Sequence, residues 1–203
     1  MKILNSTQLD EAAELLKKGE VVGFPTETVY GLGVVYDNKE AYDKLVKVKR
    51  RPPYKPFTMM LADPEDIEKY AELNNVSRKL IKTFMPGPIT MILDAKPGLP
   101  KWCLSEIGRV GVRVADYDLI RDLIRKTGKP LLVPSANRAG EEPGVTAQEV
   151  VDTFGDEFPA VIEGKTFSHL PSTVVMVEEK YTHVFREGPI SIEDVKRAIE
   201  KEN

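Results

Sequence analysis

Lys49-Arg50-Arg51-Pro52 sets two cations two residues apart, ahead of a proline that disfavours helix in the residue before it. In an extended chain, side chains at i and i+2 point the same way, so Lys49 and Arg51 are expected to converge on one anion. A guanidinium offers a flat fork to phosphate and an ammonium a compact charge, a combination suited to a polyphosphate. Arg113 stands alone among apolar neighbours in Val110-Gly111-Val112-Arg113-Val114, either as an outward residue of an amphipathic strand or as a ligand contact. Ser135 and Asn137 share one side just past an apolar strand, Ser172-Thr173 opens another, and Arg186 ends the last. Each alone has an ordinary structural explanation, such as an Asx turn or strand punctuation. Their joint occurrence is what points to anion binding.

The elements that must position these residues follow from periodicity. Val21-Val22-Gly23-Phe24 reads as a buried strand, and Pro25-Thr26-Glu27-Thr28-Val29-Tyr30-Gly31-Leu32-Gly33 after it as a binding loop rich in hydroxyls and glycine. Further strands are expected at 57–61, 89–94, 110–114, 130–134, 159–162, 172–178 and 181–186. Helices are expected from Thr7 to Gly19, over 38–47, 64–72, 77–84 and 116–126, and from Thr146 and Ser191, with a long loop at 95–108. Strands alternating with helices predict an α/β domain around one mixed sheet, a single domain over residues 1–203.

Composition removes several function classes. The net charge of −3, from 29 basic and 32 acidic residues, gives no overall bias toward nucleic acid or membrane. The cluster Lys44, Lys47, Lys49, Arg50, Arg51 and Lys55 runs against that average, and by itself reads as a solvated helix face. Cys103 is the lone cysteine, so no intramolecular disulfide can form and a reducing cytoplasm fits. His169 and His183 are far apart and near no Cys, Asp or Glu cluster, so no metal site is expected. No apolar run reaches the roughly 20 residues of a membrane span. Gly164-Lys165-Thr166 fails as a phosphate loop because position 159 is proline, and Gly31-Leu32-Gly33 fails as a dinucleotide fingerprint because position 36 is tyrosine.

Pro25-Thr26-Glu27-Thr28-Val29-Tyr30-Gly31-Leu32, Lys49-x-Arg51-Pro52, Val110-Gly111-Val112-Arg113-Val114, Ser135-Ala136-Asn137 and Ser172-Thr173-Val174-Val175, in that order, resemble the YrdC-like family. Its best-known members are threonylcarbamoyl-adenylate synthases. The resemblance spans residue 5 to about 198 and implies a twisted mixed β-sheet with flanking helices around a large, positively charged concave cavity. It implies the reaction of L-threonine, bicarbonate and ATP to threonylcarbamoyl-AMP and pyrophosphate, for the t6A modification of tRNA. It also implies residue roles: Lys49 and Arg51 as the catalytic pair gripping the triphosphate, and Thr26, Arg113, Ser135 and Ser172 as threonine contacts. Asn137, Thr146 and Arg186 would join Lys49 and Arg51 on the nucleotide. Mg2+ would arrive with ATP without a dedicated protein site. As a short form without the extra C-terminal domain of longer relatives, the protein would hand its product to a separate tRNA threonylcarbamoyl-transferase complex. The chain departs from the family pattern in having no histidine in Phe57-Thr58-Met59-Met60-Leu61. That segment is similar to the YciO-like branch, which leaves an alternative: a protein acting mainly by binding tRNA or double-stranded RNA.

Overall fold

The computed structural model describes residues 1–52 and 55–200. In chain order its first half contains β1 (Lys2–Leu4), α1 (Leu9–Lys17), β2 (Val22–Phe24), β3 (Gly31–Val35), α2 (Lys39–Lys49), β4 (Met59–Met60), α3 (Asn75–Phe84) and β5 (Ile89–Asp94). The second half contains β6 (Arg109–Arg113), α4 (Asp118–Thr127), β7 (Leu131–Leu132), α5 (Ala147–Phe154), β8 (Ala160–Ile162), β9 (Thr173–Val177), β10 (Thr182–Arg186) and α6 (Ile192–Glu200). The strands form one twisted mixed sheet in the order β1-β8-β2-β3-β7-β4-β6-β5-β9-β10. The pairs β1–β8, β8–β2, β4–β6 and β5–β9 are parallel, and the other neighbours run antiparallel.

Period-two alternation explains why helices cover both faces. Met59 and Leu132 enter one core while their chain neighbours Met60 and Leu131 enter the other. On the second face lie α1 and α4, through Ala12, Ala13, Leu16, Ile120 and Leu123 against Val22 and Phe24. The first face carries α2, α3, α5 and α6, through Tyr42, Leu45, Leu80, Val150 and Val195. Full burial of a leucine such as Leu16 or Leu45 contributes about 2 kcal/mol. The helix starts are set locally: the side chains of Asn38, Asn74 and Thr146 each accept a backbone N–H in the first turn of α2, α3 and α5.

Several expectations need correction. Residues 31–33 are not loop: Gly31–Val35 is β3, antiparallel to β2. A Cβ at Gly31 would lie 2.6 Å from Val133, and one at Gly33 2.5 Å from the Phe24 ring, so these glycines serve close packing between strands. Lys2–Leu4 forms an unanticipated strand whose partner, β8, lies far along the chain. The segment expected as helix over 64–72 is a short 3-10 stretch, Pro64–Lys69.

Most consequential is the end of α2, which runs through Lys49 instead of stopping near Lys47. Arg50 takes a left-handed conformation (φ 50°), with Arg50 N–H bound to Lys47 O and Arg51 N–H to Val46 O, a Schellman closure. Lys49 is therefore helical, and the i, i+2 geometry expected to align it with Arg51 does not exist. Pro52 restrains only its immediate predecessor.

Candidate active site

A cavity of about 770 Å³ opens where the start of β3, the segment after α2, β5, β6, the end of β7 and the β9–β10 pair come together. Its described lining includes five cations, Arg51, Lys55, Arg109, Arg113 and Arg186, and no carboxylate. Hydroxyls from Thr26, Thr28, Thr58, Thr90, Ser105, Ser135 and Ser172 share the wall. Such a surface is built for a large polyanion bearing hydrogen-bonding groups.

Arg113, the last residue of β6, is 6 % exposed. Its Nη2 donates to Thr28 Oγ1 (3.1 Å) and lies 2.8 Å from Glu27 Oε1. Both Glu27 oxygens are buried without a well-aligned hydrogen bond, so the guanidinium acts as the carboxylate's charge partner. From Thr28 the contacts continue: Thr28 and Thr26 hydroxyls meet at 2.9 Å, and Thr26 Oγ1 donates to Val29 O at 2.7 Å. Because Thr26 spends its proton on Val29, Thr28 must be the donor between them. This chain of bonds fixes the guanidinium before any ligand arrives. Arg113 Nε is buried and has no hydrogen-bond partner among the described residues.

Across the lining, Ser172 Oγ meets Thr90 Oγ1 at 2.8 Å, and Ser172 O accepts from Arg186 Nε (3.0 Å) and Nη2 (2.8 Å). Arg51 stacks over Phe57 at 5.2 Å and reaches Pro56 O at 3.5 Å. Arg51 and Arg186 thus lean on carbonyls and a ring, which leaves their full charge for a ligand. Burial lowers the pKa of Arg51; burial, then the neighbouring Arg113, lowers that of Arg186.

Thr26, Arg51, Arg113, Ser135, Ser172 and Arg186 come together on the wall, as the sequence reading expected. Three other residues do not line it. Lys49, 3 % exposed, donates instead to Ser135 O (2.6 Å), Asn137 O and Asn137 Oδ1 (3.0 Å). Asn137 is consumed by the same knot: Oδ1 also accepts from Ser135 Oγ (2.6 Å), and Nδ2 donates to Arg138 O and Glu141 O. Thr146 is exposed and caps α5, accepting from Glu149 N. Burial first, then Arg51 and Arg138, push the Lys49 ammonium down to about 7. The three oxygens oppose that push, since a neutral amine has only two N–H groups to give them.

Sequence reasoning passed over Arg109, Thr28 and Thr90. Arg109 opens β6, lines the cavity and pairs with Glu178 (2.8 Å) and Asp94 (3.1 Å). Its signal was its spacing from Arg113: four residues apart on one strand, so on one face. Gly164 packs on Pro25 and exchanges hydrogen bonds with the Tyr30 hydroxyl. Among the described residues no cluster of His, Cys, Asp and Glu could hold a metal ion, and no helix is long and apolar enough to cross a membrane.

The Sua5/YciO/YrdC family model, described as telomere recombination, matches residues 14–188. A threonylcarbamoyl-AMP synthase of Enterobacter sp. (strain 638) is 37 % identical over 168 residues, 81 % of this chain and 88 % of that protein. A putative threonylcarbamoyl-AMP synthase of Methanocaldococcus jannaschii is 35 % identical over 96 % of this chain and 94 % of its own length. Among solved structures, Sua5 of P. abyssi complexed with L-threonine superposes with a TM-score of 0.93 at 28 % identity, covering 98 % of this chain; the chain spans 61 % of that protein. YciO of E. coli superposes with a TM-score of 0.87 at 25 % identity, covering 96 % of this chain and 98 % of that one. With the family model matched over most of its length, this chain belongs to the Sua5/YciO/YrdC family.

Proposed function

We propose that this protein is a threonylcarbamoyl-AMP synthase acting in the cytoplasm on the path to t6A in tRNA. Threonine's amine takes up bicarbonate as a carbamate with loss of water. A carbamate oxygen then attacks the α-phosphorus of ATP, and the bond to the β-phosphate oxygen breaks to release pyrophosphate. The observation that carries this reading is the described cavity lining, with five cations and no carboxylate on its surface, of which Arg113 and Arg109 have carboxylate partners outside the lining. An anionic nucleophile meets a polyanionic electrophile here, and two unit charges at about 4 Å repel by about 4 kcal/mol at an effective dielectric near 20. Fixed cations offset that repulsion most where charge builds up on the departing pyrophosphate.

Arg113, held by Glu27 and Thr28, suits the threonine carboxylate, with Thr26, Ser135 and Ser172 as hydroxyl contacts nearby. Arg51 and Arg186 suit the phosphates. Lys49 and Asn137 act as positioning residues, locking the loop that presents Ser135. No side chain need remove a proton if the carbamate itself supplies the nucleophile, and positioning then carries the reaction. Mg2+ would arrive with the nucleotide, held through its phosphates. The relatives named as synthases and the threonine-bound neighbour support threonine and ATP as substrates; delivery of the labile product to a separate transferase complex extends the same proposal. A role mainly in RNA binding is not favoured by these relationships.

Incubation with ATP, L-threonine and bicarbonate, with mass detection of the adenylate and omission of each substrate in turn, tests the reading. Product is expected only with all three, and Arg51→Ala should lower its rate at least 100-fold. No adenylate from the wild-type protein would end the proposal.

A further inference from the structure

Side chains alternate along a strand, so adjacent Phe185 and Arg186 in β10 should face opposite ways. The pairing with β9 breaks that rule. Val184 lies opposite Val175 and Arg186 opposite Val174, so two residues of β10 span one step of β9. This β-bulge turns Phe185 and Arg186 onto the same wall, where both line the cavity together with Val174.

Phe185 is nevertheless 56 % exposed. Tyr30 and Phe57, the other aromatic lining residues described, are 0 % and 2 % exposed: the Tyr30 hydroxyl is tied to Gly164, and Phe57 carries the Arg51 guanidinium. Among the described lining residues, then, one ring remains available to a ligand. His183 meets it at 4.6 Å and 74°, bracing its orientation while leaving most of its surface open. Pro171 and Val174 extend the apolar shelf beside it, and Arg186 stands next to it.

We infer that Phe185 is the stacking platform for the purine base of the nucleotide, and that the bulge exists to place a base-binding ring and a phosphate-facing guanidinium side by side. Stacking needs only an exposed ring face, and an adjacent cation anchors the phosphates of the same molecule. The inference rests on the cavity taking a nucleotide, as the synthase reading requires, and its test separates the two.

Phe185→Trp places a reporter in the shelf; the lone native tryptophan, Trp102, is partly buried and bound to Tyr36 O, so the wild-type signal serves as baseline. AMP and ATP should quench the added emission, whereas ribose 5-phosphate and tripolyphosphate should not. In calorimetry Phe185→Ala should weaken ATP binding about 10-fold, Phe185→Tyr should stay within about 2-fold of wild type, and tripolyphosphate affinity should hold in all. Equal ATP affinity in Phe185→Ala, or quenching by tripolyphosphate equal to that by AMP, would overturn the inference. So would a wild-type dimer that becomes monomeric in Phe185→Ala with ATP binding intact, since the ring's partner would then be a second copy. Base-specific quenching in a protein that forms no adenylate would sustain the inference and sink the synthase reading.

Discussion

Lys49 and Arg113 are cations buried to nearly the same degree, 3 % and 6 % exposed, yet the fold accommodates them in opposite ways. Arg113 keeps a carboxylate, Glu27, at 2.8 Å and still borders the cavity. Lys49 donates to neutral oxygens of the Ser135–Asn137 loop, one of them the carbonyl of the lining residue Ser135, and is not itself part of the described cavity lining. Arginine stays charged in either setting, whereas lysine gives up its proton when desolvated. The contrast separates two arrangements: a cation on the cavity wall with its own charge partner, and a cation whose hydrogen bonds fasten a loop.

Removing the first cation should do the most damage. Arg113→Met strands the Glu27 carboxylate in the protein, and unfolding free energy should fall by about 3–5 kcal/mol in urea titrations. The double variant Glu27→Gln/Arg113→Met should recover much of that loss while adenylate synthesis stays abolished. A loss below about 1 kcal/mol in the single variant would show that Glu27 does not depend on Arg113, and the comparison would collapse.

The second cation is tested through pH. With its pKa pushed down to about 7 against an ordinary 10.5, Lys49 binds a proton less readily in the folded chain than in the unfolded one. Stability linked to this group is therefore complete above about 10.5, and it is lost as pH falls through about 7. The difference in unfolding free energy between wild type and Lys49→Met should grow in favour of wild type by a few kcal/mol from pH 6.5 to 9. A flat difference would mean that the three loop oxygens hold the ammonium as firmly as water does.

A finer probe is Thr28→Val, which keeps shape but cuts the link from Arg113 to Thr26. Stability should drop by about 1 kcal/mol. The KM for threonine should rise several-fold with kcat little changed, because the guanidinium keeps Glu27 and loses only its second anchor. An equal fall in kcat would instead place Thr28 in the reacting geometry.

What the sequence made legible, and what it hid, follows the same physical divide. Strands and helices with strong periodicity, such as α1, α4 and β5, were readable because their burial pattern is local. Thr26, Arg113, Ser135, Ser172 and Arg186 could be gathered because each sits at the end of an apolar strand or in the loop beside one, where the fold places ligands, and Arg51 because it stands in a Lys-x-Arg-Pro run after a helix. β1 was not legible, since three residues become a strand only by pairing with β8 at the far end of the chain. The direction of Lys49 was hidden by a single backbone choice at Arg50, and the exposure of Phe185 by a bulge. No residue type signals either: the left-handed position carries an arginine where glycine is usual, and the bulge is set by the pairing with β9.

Arg50 offers the smallest and most local test. Its left-handed conformation ends α2 so that Lys49 stays helical and points to the Ser135–Asn137 loop, while Arg51 leaves toward the cavity. A side chain with Cβ adopts that conformation at a penalty of roughly 1–2 kcal/mol, which glycine avoids at some loss of chain entropy. Arg50→Gly should therefore raise unfolding free energy by about 0.5–1 kcal/mol and leave adenylate formation unchanged, because the closure relies on backbone N–H groups alone. If stability fell instead, the Arg50 guanidinium would have to be contributing more than its backbone strain removes. Glu157, which carries the Arg138 ion pair and feels the field of Arg50, would be the partner to remove next.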